Sequence, residues 1–480
     1  MEARKVSVTF ADQAIPSRDS ALVTAGTINA RLDRLPATRH IWTIVLVLSL
    51  GGWFEFYDLF FTAYVGPGLV KSGILSETTS SFFGFSGLGA FIAATFAGLF
   101  IGTFALGSLA DRFGRKFVFT VSLLWYSVGT VIMAFQTTAT GLNLWRLIAG
   151  IGIGVELVTI DSYLAELVPA HIRGRAFAFN QLVQYSVVPM VALLAYLLVP
   201  ISPFGFDGWR WVVLIGAAGA VFVWFIRLAV PDSPRWLAQH GQLEAADRIT
   251  TRIEAKVAKE LGTSLPPPGP IVEPVSAARP RFADIWTAEY RGRTIMMMVF
   301  NFFQTIGYYG FASWVPTLLV ARGITITHSL LYSFIIAIAN PIGPLLAIPI
   351  ADYVERKWVI VFGATGIAVF GMAFSQVDNT VLLIACGVAI TLCSNIMSFG
   401  FHAYQPELFP TRVRAMAVGF VYSMSRIGAM LSGFLIAFCL REFGTTGVFT
   451  LIVGCMAMVV ISIGGFGPRT RGLKLEAIAP

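Results

Sequence analysis

The chain has 480 residues, of which 56% are hydrophobic and only 12% are charged. Soluble globular domains carry about 25% charged residues, so this composition excludes an ordinary soluble protein and indicates lipid as the main solvent. The net charge of +8 is no evidence for nucleic-acid binding, because the basic residues cluster in short segments between apolar runs.

The first segment, residues 1–40, is polar and holds six basic residues. The apolar run that begins near residue 41 is too long for the apolar region of a cleavable signal peptide. We therefore expect a cytoplasmic N-terminal tail over 1–40, followed by a membrane helix that stays in the mature protein.

Twelve apolar runs are long enough to cross a bilayer, which takes about 20 residues in a helix. The runs of the first half lie near 41–65, 83–109, 117–137, 142–168, 176–200 and 210–230. The runs of the second half lie near 294–320, 329–351, 358–376, 380–408, 415–440 and 445–467. Backbone groups in lipid must be paired within each such run. The pattern predicts an all-α membrane protein with a six-helix bundle over 41–230, a second over 294–467 and a C-terminal tail over 468–480.

The distribution of Lys and Arg predicts the orientation. Of the 34 basic residues, 27 fall in segments that share one side with both termini. Lys71, Arg210, Arg322 and Arg441 fall on the other side, and three more lie within predicted helices. Basic residues accumulate on the cytoplasmic side of membrane proteins, so we expect both termini to be cytoplasmic.

Residues 231–293 form a polar linker between the two bundles. One set of apolar residues recurs there at spacings of three and four: Leu243, Ala246, Ile249, Ile253, Val257 and Leu261. This spacing predicts an amphipathic helix, and "LPPPGP" at 265–270 ends it as a stiff linker. The helix either covers the cytoplasmic face of the bundle or binds a partner.

An internal repeat relates the two halves. "ADRFGRK" begins at Ala110 and "ADYVERK" at Ala351, an offset of 241 residues. "YLAELVPAHIR" begins at Tyr163 and "YQPELFPTRVR" at Tyr404, which is the same offset. Two motifs at one offset indicate duplicated halves that face each other across a site near the bilayer midplane.

Together with "RLIAGIGIG" (146–154) and "PDSPRW" (231–236), these motifs resemble those of the major facilitator superfamily. They are similar to the branch with sugar porters, organic ion transporters, synaptic vesicle glycoprotein 2 relatives and bacterial niacin transporters. The resemblance implies twelve helices and alternating access in a monomer of a bacterial inner (plasma) membrane. It also implies a small-molecule substrate and protons as partners, with neither nucleic acid nor cofactor.

Several positions differ from those of sugar porters. Met298 and Val299 replace a helix-seven Gln pair, His402 replaces a helix-ten Trp, and Val188 replaces a second helix-five Gln. Because a sugar site needs several amides to satisfy hydroxyl groups, we expect these amides to be missing and a sugar to be a poor substrate.

Arg426, in predicted helix eleven, resembles an Arg found in anion carriers of the organic ion transporters, where cation carriers have an acid. A guanidinium at membrane depth needs an anion, and a carboxylate matches its fork. Either the substrate or a permanent Glu or Asp partner supplies that anion. The further candidates for substrate contact are Gln184, Asn301, Gln304, Tyr308 and His402.

Intramembrane ionisable groups are functional by default, since each costs at least about 2.5–3.5 kcal/mol at the bilayer centre. Asp58 and Arg146 resemble the proton-coupling pair of sugar porters. Burial favours the neutral carboxyl and a nearby guanidinium favours the carboxylate, so movement of the Arg would switch proton affinity. Glu55 lies on the same helix face as Asp58. Glu156 is either a second proton site or the static partner of an Arg.

The repeated motifs are expected to gate the cytoplasmic side by ion pairs and by capping of helix ends. The residues of the first copy are Gly107, Asp111, Arg112, Arg115, Glu166 and Arg173. Those of the second copy are Asp352, Arg356, Glu407 and Arg414, with Glu355 in place of an expected Gly. Breaking such pairs should shift the population between states and leave the fold intact.

The leading hypothesis is a proton-coupled symporter that imports a small organic anion, such as the aromatic monocarboxylate nicotinate. Residues 176–200 contain no Gly, which disfavours drug–proton antiport. The alternatives are uptake of a sugar or polyol, transport of a drug or organic cation, and a non-transporting receptor on the same fold. Neither a metal cluster nor a nucleophile constellation occurs in the sequence, so we do not expect an enzyme.

Overall fold

The computed structural model describes residues 24–75, 87–106, 109–219, 222, 230–270, 282–350, 354–410 and 413–470. Within these ranges the protein is helical and has no strand. The first-half helices are α1 Ala25–Asp33, α2 Arg39–Tyr64, α3 Gly66–Lys71, α4 Gly87–Leu106, α5 Leu109–Phe113, α6 Arg115–Ala134, α7 Ala139–Leu167, α8 Arg173–Tyr185, α9 Val187–Leu198 and α10 Gly208–Ala217.

The linker contains α11 Pro234–Gln239 and α12 Leu243–Leu261. The second-half helices are α13 Arg291–Ala312, α14 Val315–Ala321, α15 Ile326–Ala337, α16 Ala339–Ile350, α17 Arg356–Gln376, α18 Thr380–Glu407 and α19 Arg414–Val459. Polar side chains cap several of them: the Thr138 hydroxyl accepts from the Gly141 N–H at the start of α7, and Asn379 accepts from two N–H groups of α18. Such caps satisfy N–H groups that have no partner within the helix.

Nine helical segments of the described ranges are long and apolar enough to cross a membrane. The last of them, Met416–Gly465, contains two of the predicted runs. The two helices meet at Gly444, whose backbone angles (φ 64°, ψ −163°) are not helical and are readily adopted only by Gly. Helix α13 covers most of the run 294–320, and α10 covers the first described part of the run 210–230. The all-α membrane fold predicted from the sequence is confirmed within the described ranges.

Small residues allow the helices to approach closely, as is usual in membranes. A Cβ atom on Gly98 of α4 would lie 2.8 Å from the Gly150 Cα atom of α7. Between the halves, a Cβ on Gly89 of α4 would lie 2.8 Å from the Gly433 carbonyl oxygen of α19. The halves also meet where α9 packs on α15 and where α8 packs on α16.

The predicted amphipathic helix is α12, which buries Ala246, Ile253 and Val257. A helix that the sequence did not predict, α1, packs against it and against α11. Arg31 donates to Asp247 and to Glu254 (2.7 Å), and Arg34 donates to Glu254 (2.6 Å). The N-terminal segment is therefore folded onto the linker from residue 25 onward.

Candidate functional site

A cavity of about 460 Å³ lies between the two halves. Its walls come from α2, α7 and α8 of the first half and from α13, α18 and α19 of the second. Asp161, Gly174 and His402 line it and are exposed to solvent. They lie near the ends of α7, α8 and α18 that adjoin the repeated motifs, and we call this the motif end. Solvent therefore reaches the cavity from the motif end.

Arg426 supplies a buried positive charge to the cavity. Its side chain projects from α19, is 4% exposed, and its guanidinium carbon lies 5.1 Å from the centre of the Tyr422 ring. The Nε atom has no hydrogen-bond partner, and Arg426 makes no ion pair with any residue that the structure describes. A permanent ion-paired acid is therefore not found among the described residues, although Glu55 of the same cavity interacts electrostatically with Arg426. An anion in the cavity would give the guanidinium a hydrogen-bonded partner.

Aromatic side chains surround this guanidinium. Tyr308 and Tyr309 of α13 lie edge to face with ring centres 4.9 Å apart, and Tyr185 of α8 is hydrogen-bonded to Tyr308. His402 lies 6.0 Å from Tyr422, and its Nδ1 atom lies 2.8 Å from the Ser398 carbonyl oxygen. Flat rings held in this way suit a planar ligand that stacks against them.

Tyr185 and Tyr422 were not among the residues predicted from the sequence. Tyr422 lies four residues before Arg426, and this spacing places the two on one helix face, so the signal was present. Tyr185 directly follows Gln184, but whether it faces the cavity depends on the rotation of α8 about its axis, which the sequence does not reveal.

The predicted polar residues divide into two groups. Gln184, Gln304, Tyr308 and His402 line the cavity as expected. Asn301 does not, because its amide donates to the Gln405 side chain (2.8 Å) and to the Met297 carbonyl (2.8 Å). Asn301 therefore joins α13 to α18 behind the cavity wall.

The amides that sugar porters carry at the positions of Met298, Val299 and Val188 are missing, but the cavity contains amides at other positions. Four amide side chains line the cavity, namely Asn180, Gln181, Gln184 and Gln304. Three of them come from one stretch of α8, where residues three and four apart share a face. Gln184 and Gln304 were predicted from the sequence, whereas Asn180 and Gln181 were not.

Asp58 and Arg146 form a buried ion pair beside the cavity. The Arg146 Nη1 atom lies 2.6 Å from Asp58 Oδ1, and the two side chains are 0% and 3% exposed. The other Arg146 donors reach Thr95, Thr62 and the Asp58 carbonyl at 2.7–2.8 Å. Thr130 donates to Asp58 Oδ2 (2.7 Å). Neither member of the pair lines the cavity, so a direct contact with a substrate is excluded in this conformation.

Three further acids lie between this pair and the motif end. Glu55 lines the cavity while being only 1% exposed, and its Oε1 atom has no hydrogen-bond partner among the described residues. Glu156 is fully buried, and neither of its carboxyl oxygens has a partner there either. The alternative in which Glu156 pairs permanently with an Arg therefore has no Arg to support it in the described part of the chain. Asp161 lines the solvent-exposed end.

The two copies of the gating motif form equivalent ion pairs. Arg115 pairs with Glu166 (2.9 Å) and Arg356 pairs with Glu407 (2.6 Å), and both members are shifted by the repeat offset of 241 residues. Each pair lies within one half, so neither joins the halves in this conformation. Glu355, which stands where the motif has Gly, does not prevent the Arg356–Glu407 pair from forming.

Other predicted gating residues make different contacts. Arg112 is exposed above the Phe113 ring, and Arg414 donates to the Phe409 carbonyl (3.2 Å). The Arg173 Nε atom has no hydrogen-bond partner, and neither Arg112 nor Arg173 forms an ion pair within the described ranges. The predicted ion pairs of these two residues are therefore not formed here. Gly107, Asp352 and the side chain of Asp111 lie outside the described residues.

Each half also contains a hydrogen bond from a motif tyrosine to a proline carbonyl. The Tyr163 hydroxyl donates to Pro231 (2.6 Å) and the Tyr404 hydroxyl donates to Pro468 (2.7 Å). Both prolines follow the last membrane helix of their half. The first tyrosine of each repeat thus fastens the fourth helix of its half to the end of the sixth.

Comparison with known proteins places these features in context. The sequence profile described as "Sugar (and other) transporter" matches residues 44–480. A putative metabolite transport protein, YyaJ of Bacillus subtilis, is 29% identical, over 93% of this chain and 96% of the relative. The niacin transporter NiaP of Acinetobacter baylyi is 27% identical, over 94% and 99%. The Escherichia coli xylose transporter XylE in a partially occluded inward-open conformation has a TM-score of 0.71 at 22% identity, over 91% and 100%.

Proposed function

The chain belongs to the Sugar (and other) transporter family, and on that basis we propose that it is a symporter that imports a small organic anion with protons. It is a multi-pass membrane transporter and not an enzyme. We place it in a bacterial inner membrane as a monomer with both termini in the cytoplasm, so that the motif end faces the cytoplasm. The proposed substrate is an aromatic monocarboxylate such as nicotinate.

The unpaired Arg426 is the observation that carries this proposal. A guanidinium stays charged under all physiological conditions, and a buried charge without a counter-ion is costly. A carboxylate that enters the cavity removes this cost and can bind with two parallel hydrogen bonds. A neutral sugar or an organic cation would leave the guanidinium without an ion-pair partner.

The aromatic walls support a flat substrate. A monocarboxylate with one aromatic ring can place its carboxylate at Arg426 and its ring against the tyrosines that line the cavity. Aromatic pairs of this kind contribute about 0.5–1.5 kcal/mol beyond the area they bury. The similarity to a niacin transporter and to a benzoate transport protein, 25% identical, agrees with such a substrate.

Proton coupling is assigned to Asp58 and Arg146. When Asp58 is ionised, its charge balances that of Arg146, and the pair holds α2, α7 and α6 together through Thr130. A proton on Asp58 removes the charge attraction and loosens this contact between helices. We infer that the proton state of Asp58 controls when the first half can rearrange, so that anion and proton move together.

Uptake of radiolabelled nicotinate into proteoliposomes tests the proposal, with and without an inward proton gradient. We expect stimulation by the gradient for the wild type. Arg426→Ala should raise the substrate concentration for half-maximal uptake about a hundredfold, because truncating one partner of a buried charge pair costs roughly 3 kcal/mol. Arg441→Ala removes the same charge from an exposed position of α19 and should leave uptake unchanged.

Sugar or polyol uptake is the second candidate, and the four amides of the cavity favour it, since amides satisfy hydroxyl groups. The same vesicles distinguish the two. Uptake of radiolabelled xylose without uptake of nicotinate, or nicotinate uptake that does not depend on Arg426, would contradict the anion proposal.

A further inference from the structure

The Asp58–Arg146 pair raises a problem of access. Asp58 is 2% exposed and is absent from the cavity wall, so protons in the cavity cannot reach it directly. Glu55 lies one helical turn away on α2 and does line the cavity. The route from Glu55 to Asp58 must therefore run through the protein.

Helix geometry places Glu55, Tyr126 and Glu156 within about one helical turn of each other along the bundle. Thr130 of α6 is hydrogen-bonded to Asp58, which fixes the levels of α6 and α2 relative to each other. Tyr126 precedes Thr130 by four residues and Glu55 precedes Asp58 by three, so they lie about 6 Å and about 4.5 Å nearer the motif end. A Cβ atom on Gly152 of α7 would lie 3.0 Å from the Tyr126 nitrogen, and Glu156 follows Gly152 by four residues. Glu156 of α7 interacts electrostatically with both Glu55 and Tyr126, as well as with Asp58.

The buried polar atoms of these three side chains are unsatisfied. The Tyr126 hydroxyl, both oxygens of Glu156 and Oε1 of Glu55 are buried without a hydrogen-bond partner among the described residues. Each such atom costs about 1–3 kcal/mol, and an ionised carboxylate without a counter-ion costs more. Glu156 therefore carries a proton in this conformation.

Because the proposed function requires proton coupling, we propose that Glu55, Glu156 and Tyr126 form a relay that carries protons between the cavity and Asp58. A hydronium ion in the cavity protonates the Glu55 carboxylate and leaves water. The relay groups make no hydrogen bond to one another in this conformation, so water molecules from the cavity bridge them, and the proton passes through the Glu156 carboxyl and the Tyr126 hydroxyl, each giving up one proton as it accepts another. The Asp58 carboxylate accepts it and loses its charge attraction to Arg146. No covalent bond other than O–H bonds changes.

The charges around Glu156 are compatible with this route. Helix α2 presents Glu55 and Asp58, α6 presents Tyr126, and α7 itself carries Arg146 and Asp161; α4, which also packs on α7, has no titratable residue. Arg426 of α19 and Asp161 interact with Glu55. A substrate anion bound to Arg426 would cancel the nearby positive charge and so favour protonation of Glu55, which links anion binding to proton entry.

The first test compares Glu156→Gln and Tyr126→Phe with Thr159→Val, a buried residue of α7 whose hydroxyl bonds only to its own helix. Gradient-driven uptake should fall to the level without a gradient in the relay variants. Counterflow, in which labelled and unlabelled substrate exchange without net proton movement, should persist. Thermal stability should not fall, because the removed groups are unsatisfied. Thr159→Val should behave like the wild type in both assays.

The second test does not require transport. Infrared spectroscopy of the purified protein should show the C=O stretch of a protonated carboxyl that shifts in D₂O, and Glu156→Gln should lack this band. Unchanged spectra in Glu156→Gln, or full gradient stimulation in that variant, would overturn the relay. If the wild type shows no gradient stimulation, the symport proposal fails, and the infrared band still decides whether Glu156 exchanges a proton.

Discussion

Asp58 and Arg146 differ in how they respond to the loss of their ion-pair partner. A carboxylate that loses its guanidinium can neutralise itself by binding a proton. A guanidinium that loses its carboxylate cannot, because Arg does not deprotonate in proteins. The two substitutions should therefore have different effects on stability.

We expect Asp58→Asn to destabilise the protein by about 3–5 kcal/mol, the usual cost of breaking a buried pair from one side, whereas Arg146→Met should cost less. The double variant should recover most of the loss, since no charge is then left unpaired. Thermal denaturation of detergent-solubilised protein, followed by size-exclusion chromatography, measures this order. A double variant less stable than Asp58→Asn would contradict the argument.

For individual residues, the sequence predicted the Asp58–Arg146 ion pair more reliably than it predicted which polar side chains face the cavity. Asp58 and Arg146 could be paired because they resemble the proton-coupling pair of sugar porters. The side chains that face the cavity could be predicted only in part, because a polar residue on a membrane helix has several ways to be satisfied. Asn301 found Gln405 on the neighbouring helix, and the direction of such a contact depends on helix rotation.

Among the elements, α1 shows what the sequence could not predict. Its buried residues Ile28 and Leu32 lie four apart, but nine residues are too few for a clear helical period. The helix depends on α12, more than 200 residues later in the chain. Helix α12, by contrast, is 19 residues long, and its apolar spacing predicted it correctly.

The contact between α1 and α12 depends on Glu254. Burial opposes ionisation of this carboxyl, but hydrogen bonds from Arg31 and Arg34 outweigh burial and lower its pKa. A lowered pKa in the folded state means that the contribution is complete above the ordinary value of about 4.3. It is lost as the pH falls through the lowered value, so α1 should stay docked at neutral pH and detach only in acid.

We expect Glu254→Gln to weaken this docking by about 1.5 kcal/mol, the lower end for hydrogen bonds to charged groups, which corresponds to roughly tenfold more of the open form. Trypsin cleavage after Arg31 and Arg34 in the native protein reports on opening and should accelerate by the same factor. Glu244→Gln makes the same change of charge at an exposed position of α12 and serves as the control. Equal cleavage rates in the two variants would rule out the role of Glu254.

At the scale of the whole molecule, the same two contacts occur in each half: an Arg–Glu ion pair and a hydrogen bond from a tyrosine to a proline carbonyl. Arg115–Glu166 and Tyr163–Pro231 in the first half correspond to Arg356–Glu407 and Tyr404–Pro468 in the second. The sequence predicted the duplication and the charged residues. It did not predict the proline acceptors, because the carbonyl that a tyrosine reaches depends on where the sixth helix of each half ends.

Because Tyr163 and Tyr404 share no partner, their contributions should be independent. We expect Tyr163→Phe and Tyr404→Phe each to cost about 1 kcal/mol, and the double variant to lose the sum within about 0.5 kcal/mol. Thermal denaturation of the three variants checks this. A large departure from additivity would mean that the two halves do not hold their tyrosine contacts separately.

The ion pair and the tyrosine hydrogen bond that each half contains have a consequence for the direction of transport. Each lies inside one half, so under the proposed rocking of the two halves each can stay formed in both orientations. It adds nothing to the free-energy difference between the two orientations, and the halves can rock as intact bodies. These contacts therefore favour neither direction of transport. The ion and solute concentrations on either side decide which way it runs, and the same molecule, loaded from the other side, would run in reverse.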